Sequence, residues 1–220
     1  MKKSLFLTLS LLFALMFGSV QAQYRYCNSY EDFVADRWQP LDSIYFDHNS
    51  KSRQIWIGGN EYSLTSDDKA TKKILKKQAF AVMKGDTLYV NCRNLRFEKT
   101  RFGGGYTKAV RIGRDSLLFV NRIIGKAAQM DAAMSGYFFG ALGGGLMAAS
   151  QVKQQVCYLI TGGANAKGKI SISLIDDAFM HPIVKDDVDL HTKYYSETEH
   201  SKRIRAVHIL PILMQAGYIE

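Results

Sequence analysis

Cysteine is scarce and its count is odd. Three residues, Cys27, Cys92 and Cys157, cannot close a disulfide framework, because one thiol is left over whatever the other two do. Cys92 and Cys157 sit in apolar, strand-like runs, where cysteine is usually a small buried hydrophobe. Catalytic patterns are missing as well. There is no Gly-x-Ser-x-Gly, and Asp115-Ser116-Leu117, which begins like a lipase block, follows Arg114 in a turn-forming stretch. Nothing places a cysteine beside one of the five histidines. Asp186, Asp187, Asp189, His191, Glu197, Glu199 and His200 cluster in sequence, and Asp187 and His191 could share a helix face. Their spacing matches no zinc or calcium loop. His208 lies among apolar residues and reads as a satisfied, partly buried histidine. Phe102-Gly-Gly-Gly-Tyr106 could cradle an anion with its backbone, but it does not open a helix after a strand as a phosphate loop must. No catalytic residue, metal ligand or cofactor is assigned from these patterns.

The N-terminus does carry a pattern. Lys2 and Lys3 precede an apolar stretch from Ser4 to Gly18, and Val20 and Ala22 stand at the −3 and −1 positions of a cleavage site. These are the three parts of a secretory signal peptide over residues 1–22. The apolar run is short for a membrane span, and Cys27 lacks the small preceding residues of a lipoprotein signal. An exported chain beginning at Gln23 is expected, in the periplasm or associated with the outer membrane. Cleavage removes two lysines and no acid, so the formal charge falls from +9 to +7. Such a chain could meet an anionic envelope component, although its bases are spread along the sequence and only Lys69 to Lys77 is dense.

Along the mature chain, Tyr30, Phe33, Val34 and Trp38 share the face of a short helix, with Ser29 as N-cap and Pro40 as its end. Ser43–Asp47 and Gln54–Ile57 read as strands. Residues 66–77 read as a helix with acids first and lysines last, as the helix dipole favours. Two hairpins follow, 79–83 with 87–92 and 106–112 with 116–123. A third pair, 155–160 and 169–175, is joined by a glycine-rich turn. The C-terminus turns helical: one turn at 176–179 stopped by Pro182, a short helix at 187–195, and a longer one at 197–215. Pro211 should kink the last, and Gly217 should cap it. The fold class expected is α+β. An antiparallel meander, a partial barrel or sandwich over 23–176, would be followed by a helical segment of the same domain over 177–220.

One segment stands apart. From Ala132 to Val152, 21 residues carry no charge. Small residues recur every four positions at Ala132, Gly136, Gly140, Gly144 and Ala148. On a helix they would form a groove through which backbones approach closely, as in associating membrane helices. Gly143, Gly144 and Gly145 weaken that helix. A single crossing would also separate the flanking strands of one meander. Membrane contact, packing on its own copies, and a buried glycine/alanine-rich insertion are all compatible with the pattern. No internal repeat is present elsewhere.

A second candidate is basic. Arg93, Arg96, Lys99 and Arg101 alternate with Phe97, Phe102 and Tyr106. This interleaving suits single-stranded nucleic acid, an improbable partner for an exported chain. The same chemistry suits an acidic glycan or a lipid head group. Together with the signal ending in Ala22-Gln23, the Asn28-Ser-Tyr-Glu-Asp-Phe33 segment, the meander, the insertion and the Ile209-Leu-Pro-Ile-Leu213 helix, the chain resembles a family of uncharacterised exported proteins from Bacteroidetes. That resemblance implies an envelope location and carries over no activity or functional residue. The leading expectation is a non-enzymatic envelope protein that contacts a membrane or its own copies through 132–152. Its rivals are a binding module for an anionic glycan or lipid, and a hydrolase whose site is invisible in sequence.

Overall fold

The computed structural model describes residues 24–56, 60–125, 154–163 and 169–219. The expected signal peptide over residues 1–22 and the 132–152 segment lie outside the described residues. The chain begins with strand β1 (Tyr24–Cys27), helix α1 (Tyr30–Val34), β2 (Gln39–Leu41) and β3 (Tyr45–His48). Next come α2 (Lys51–Trp56), β4 (Tyr62–Thr65), α3 (Lys69–Lys77), β5 (Ala81–Lys84) and β6 (Thr87–Asn91). A small ribbon, β7 (Arg96–Phe97) and β8 (Thr100–Arg101), precedes the long strands β9 (Tyr106–Ile112), β10 (Ser116–Arg122), β11 (Gln155–Gly162) and β12 (Ile170–Leu174). The chain ends in α4 (Asp177–Val184), α5 (Val188–Tyr195), α6 (His200–Arg203) and α7 (Ala206–Gln215).

The main sheet is antiparallel, in the order β12-β11-β10-β9-β6-β5-β1-β2, with β3 and β4 attached through β9. It is open rather than a closed barrel. Period-2 alternation sorts the side chains between its two faces. Leu117, Phe119, Tyr158 and Ile160 point one way with Val90, Ala81 and Cys27, and bury against α1 and the ribbon. Leu118, Cys157 and Leu159 point the other way, under α4, α5 and α7. On that same face, Tyr26, Val82 and Tyr89 lie under α3 and the β3–β4 hairpin with Leu41, Ile44 and Leu75. Strand β11 is buried on both sides, which is why Val156-Cys-Tyr-Leu-Ile160 reads as an unbroken apolar run.

Most expected elements are present, and the differences have local causes. Ser29 caps α1 by accepting from Asp32 N, but the helix stops at Val34, and Trp38 returns to pack edge-on to Phe33 at 6.5 Å. The stretch read as a strand from Gln54 is the end of α2, where Ser50 Oγ and Ser50 O cap Arg53 N and Gln54 N. Asp68 Oδ2 accepts from Thr71 N at 2.6 Å and starts α3. Pro182 does not stop α4, because Met180 and Val184, both fully buried, hold the turn around it. The expected single helix over 197–215 is divided. Arg205 is extended (φ −71°, ψ 144°) and forms a bridge with Val156, so the sheet interrupts the helix between α6 and α7.

All three cysteines are free and fully buried. Burial pushes the Cys27 and Cys157 thiols up to about 12, and Cys92 is raised for the same reason. Each is a protonated core residue at neutral pH, not a nucleophile.

Candidate functional site

The four bases singled out from sequence divide between two places. Arg96 and Arg101 face each other across the ribbon, and Lys99 is exposed in its turn. Two like charges directly opposed cost the ribbon some stability. Arg93 lies elsewhere, on the single 3-10 turn Cys92–Asn94 that follows β6. Asn91 Oδ1 accepts from Arg93 N at 3.1 Å and fixes that turn.

Arg93 lines a groove of about 160 Å³ with Lys72 and Lys76 of α3, Ser63 and Thr65 of β4, and Tyr106 at the start of β9. Lys72 and Lys76 are four residues apart, so both project from one side of α3. No carboxylate lines the groove, and no ion pair among the described residues involves its three cations. Its floor is rigid. Tyr106 Oη donates to Leu75 O at 2.6 Å, and Asn91 Nδ2 donates to Leu75 O and Ala79 O at 3.3 and 2.9 Å. These bonds satisfy carbonyls at the end of α3 that have no helical partner and lock the helix onto the sheet. Burial raises the Tyr106 phenol, and the nearby positive charge of Arg93 pulls it partly back. Ser63 Oγ already donates to Asn49 Oδ1 at 3.3 Å, so three cations, the Thr65 hydroxyl and no acid remain to hold an oxyanion, by charge first and hydrogen bonding second.

The glycine triplet is structural. Gly104 O accepts from Asn60 N at 2.8 Å and from Asn60 Nδ2 at 2.9 Å. Asn60 Oδ1 in turn accepts from Asn121 Nδ2 at 2.7 Å. Gly105 has φ +99°, and a β-carbon there would stand 2.7 Å from Tyr62 O. Only glycine fits this approach. The loop turns its carbonyls to Asn60 instead of offering an N–H cradle.

The acidic–histidine cluster is spent on local structure. Asp187 caps α5 by accepting from Leu190 N. The rings of His191 and Tyr195 lie 4.6 Å apart, and Glu199 pairs with Lys202. Among the described residues no group of three or more His, Cys, Asp or Glu could hold a metal. His208 Nε2 meets Tyr194 O at 2.8 Å, so it is satisfied. Ser116 sits in its turn with Oγ donating to Asp115 Oδ1, while Tyr30 Oη donates to Asp115 O. No histidine lines the groove around Arg93.

The candidate residues Ala132, Gly136, Gly140, Gly144 and Ala148 lie outside the described residues. Their flanks do not. Strands β10 and β11 pair from Leu117↔Ile160 to Arg122↔Gln155, and Ile123 N donates to Gln154 O at 3.3 Å. Gly125 and Gln154 therefore stand at the same end of the sheet. Among the described residues no helix is long and apolar enough to cross a membrane.

Sequence reasoning missed Lys72 and Lys76 as site residues. Their four-residue spacing was visible, but their meeting with Arg93 depends on how α3 crosses the end of β6. Comparison with known proteins adds one finding: a model described as "Family of unknown function (DUF6563)" matches residues 25–220. No curated protein and no solved structure matches the chain.

Proposed function

The chain belongs to the family of unknown function DUF6563, so it inherits no activity, and we propose from its geometry that it is an exported, non-enzymatic binding module for a ligand bearing oxyanion groups. One observation carries this reading: Lys72, Lys76 and Arg93 converge from two elements on a groove that no carboxylate lines. A patch of surface lysines would normally be interleaved with acids and worth little. Here the cations surround a floor pinned by Tyr106 and Asn91. The expected ligand is an acidic glycan or a phosphorylated head group, either of which an exported chain would meet. The signal-like N-terminus supports export, as does the fact that β1, which pairs on both sides, begins after the expected cleavage point.

The test compares two triple variants of equal charge. Lys72→Gln/Lys76→Gln/Arg93→Gln alters the groove. Lys69→Gln/Lys73→Gln/Lys77→Gln alters α3 outside it. Binding to a heparin fragment at 0.15 M NaCl is expected to weaken at least tenfold in the first and less than threefold in the second. Equal losses in both would reduce the interaction to net charge and remove the site.

A second proposal concerns the uncharged segment. Because Gly125 and Gln154 share one end of the sheet, the chain leaves and returns on the same side. That favours an excursion onto an envelope surface or a second copy over a single crossing. Deleting residues 132–152 is expected to release the protein from a carbonate-washed membrane pellet, or to lower its oligomeric state on sizing. A deletion variant unchanged in both assays would end this reading.

A further inference from the structure

On the sheet face opposite α3, a groove of about 580 Å³ opens between α1 and the strands β1, β5, β6 and β9. Its size is that of a small-molecule site. We infer that it binds an anionic amphiphile, with an aliphatic chain along the floor and an acidic head group on Arg25.

The floor is Met83, Leu88 and Ala109, one residue from each of three neighbouring strands, in register through Met83↔Leu88 and Leu88↔Ala109. Phe33 and Trp38 form the wall, their rings edge-on at 6.5 Å. The indole N–H is already committed, donating to Asp36 Oδ1 at 2.7 Å. Trp38 therefore offers the groove apolar surface and no polar demand. Met83 has the flexible, polarizable side chain that adapts to an alkyl chain.

Charge selects the head group. Asp36, mostly exposed to solvent, is paired with Arg111 at 3.5 Å and accepts from the indole N–H. Arg111 is itself held, donating to Phe33 O at 2.6 Å and stacking on the Phe33 ring at 4.4 Å. Arg25 is different. Its Nη2 meets Met83 Sδ, a weak acceptor, at 3.8 Å, and among the described residues no carboxylate meets it. A half-buried guanidinium against a thioether, above an apolar floor, is matched by a carboxylate or phosphate carried on an alkyl chain. Asp86 also lines the groove, and an acidic head group placed beside it would meet a like charge.

The test uses a matched pair of probes. The mature chain is titrated with 11-(dansylamino)undecanoate, which is then displaced by decanoate or by 1-decanol. A saturable single site is expected, with decanoate displacing at least tenfold more strongly than the alcohol. Arg25→Glu should weaken the probe at least tenfold, and Arg25→Gln, which preserves length and polarity should the reversal disturb folding, at least threefold. The groove variant Lys72→Gln/Lys76→Gln/Arg93→Gln should bind the probe as well as the parent. Failure to saturate, equal displacement by acid and alcohol, or indifference to both Arg25 variants would overturn the assignment. Loss of binding in the Lys72/Lys76/Arg93 variant would place the probe in the other groove, which also overturns it.

Discussion

Alanine at Tyr158 is expected to lower the stability of the fold by about 3–5 kcal/mol, the range for removing a large buried aromatic side chain. Tyr158 is fully buried in β11, the strand covered on both faces. Its ring centroid lies 4.8 Å from that of Phe102, 5.3 Å from Phe97 and 5.5 Å from Phe119. Phe97 and Phe102 thus both meet the sheet at this ring, and Phe102 also packs on Phe119 at 5.2 Å. The hydroxyl has its own role: it accepts from Ile124 N at 3.1 Å and donates to Arg122 O at 3.3 Å. Tyr158→Phe should therefore cost about 1–3 kcal/mol by leaving the Ile124 N–H unsatisfied. Urea denaturation of the three proteins separates the contributions. For a chain of this size the alanine loss corresponds to a Tm lower by about 6–20 °C, at roughly 2–4 °C per kcal/mol. If phenylalanine and alanine proved equally mild, below about 1 kcal/mol, the ring would not be the centre of the core.

The sheet was legible because its hairpins announce themselves. Lys84-Gly85-Asp86 and Gly113-Arg114-Asp115 are turns with glycine at positive φ, +55° and +58°, flanked by apolar alternation. The antiparallel α+β layout followed from those strands and the helical C-terminus. Strand β1 was not legible. Four residues of which the last two are buried give almost no periodicity, and the helical spacing of Tyr30, Phe33 and Trp38 dominated its neighbourhood. At residues 54–57 the β-branched and aromatic residues argued for a strand, but 54–56 end α2, where Ser50 caps Arg53 N and Gln54 N. Prolines at 182 and 211 argued for breaks, yet the burial of Met180, Ile209 and Ile212 holds both helices through them. At both prolines tertiary packing won over a local cost of about 3 kcal/mol in a helix interior.

The candidate site was legible only in part. Arg93 was visible as one of four neighbouring bases. Its separation from Arg96 and Arg101 depends on a single turn after β6, and its meeting with Lys72 and Lys76 depends on α3 docking through Tyr106 and Asn91. Those two polar residues carry no signal in sequence, because tyrosine and asparagine at strand ends are ordinary. The Arg25 groove was invisible for a related reason. Its residues are spread from 25 to 111, and no short window contains more than a fragment of it.

Removing Arg203 should cost about 1–3 kcal/mol, less than breaking a fully buried ion pair from one side, because a third of the Asp177 side chain is exposed and solvent screens the charge left behind. Arg203 ends α6, and its side chain is 12% exposed. It grips Asp177 in the first turn of α4 with Nε–Oδ1 at 2.9 Å and Nη2–Oδ2 at 2.6 Å. Tyr194 of α5 donates to the same carboxylate at 2.7 Å, and Arg203 Nη1 donates to Glu197 O at 2.9 Å. One carboxylate thus joins three helices, and Arg203→Ala leaves it without its cation. The Arg203 hydrogen bonds hold the Asp177 carboxyl at about 2, below its ordinary 3.8, with smaller help from Tyr194 and His200. A depressed carboxyl stabilises the fold above its unfolded value, and that stability fades as pH falls from about 4 through about 2. With a third of the Asp177 side chain exposed, solvent screening limits this contribution to about 1–2 kcal/mol. Unfolding free energy measured from pH 5 to pH 2 should therefore fall less steeply in Asp177→Asn than in the parent. The double variant Asp177→Leu/Arg203→Met should recover much of the loss of either single change, since apolar groups of similar shape can replace a buried pair. A loss below 1 kcal/mol for Arg203→Ala, with an unchanged acid limb in Asp177→Asn, would show that the three helices are held by Met180, Tyr194 and Ile209 alone.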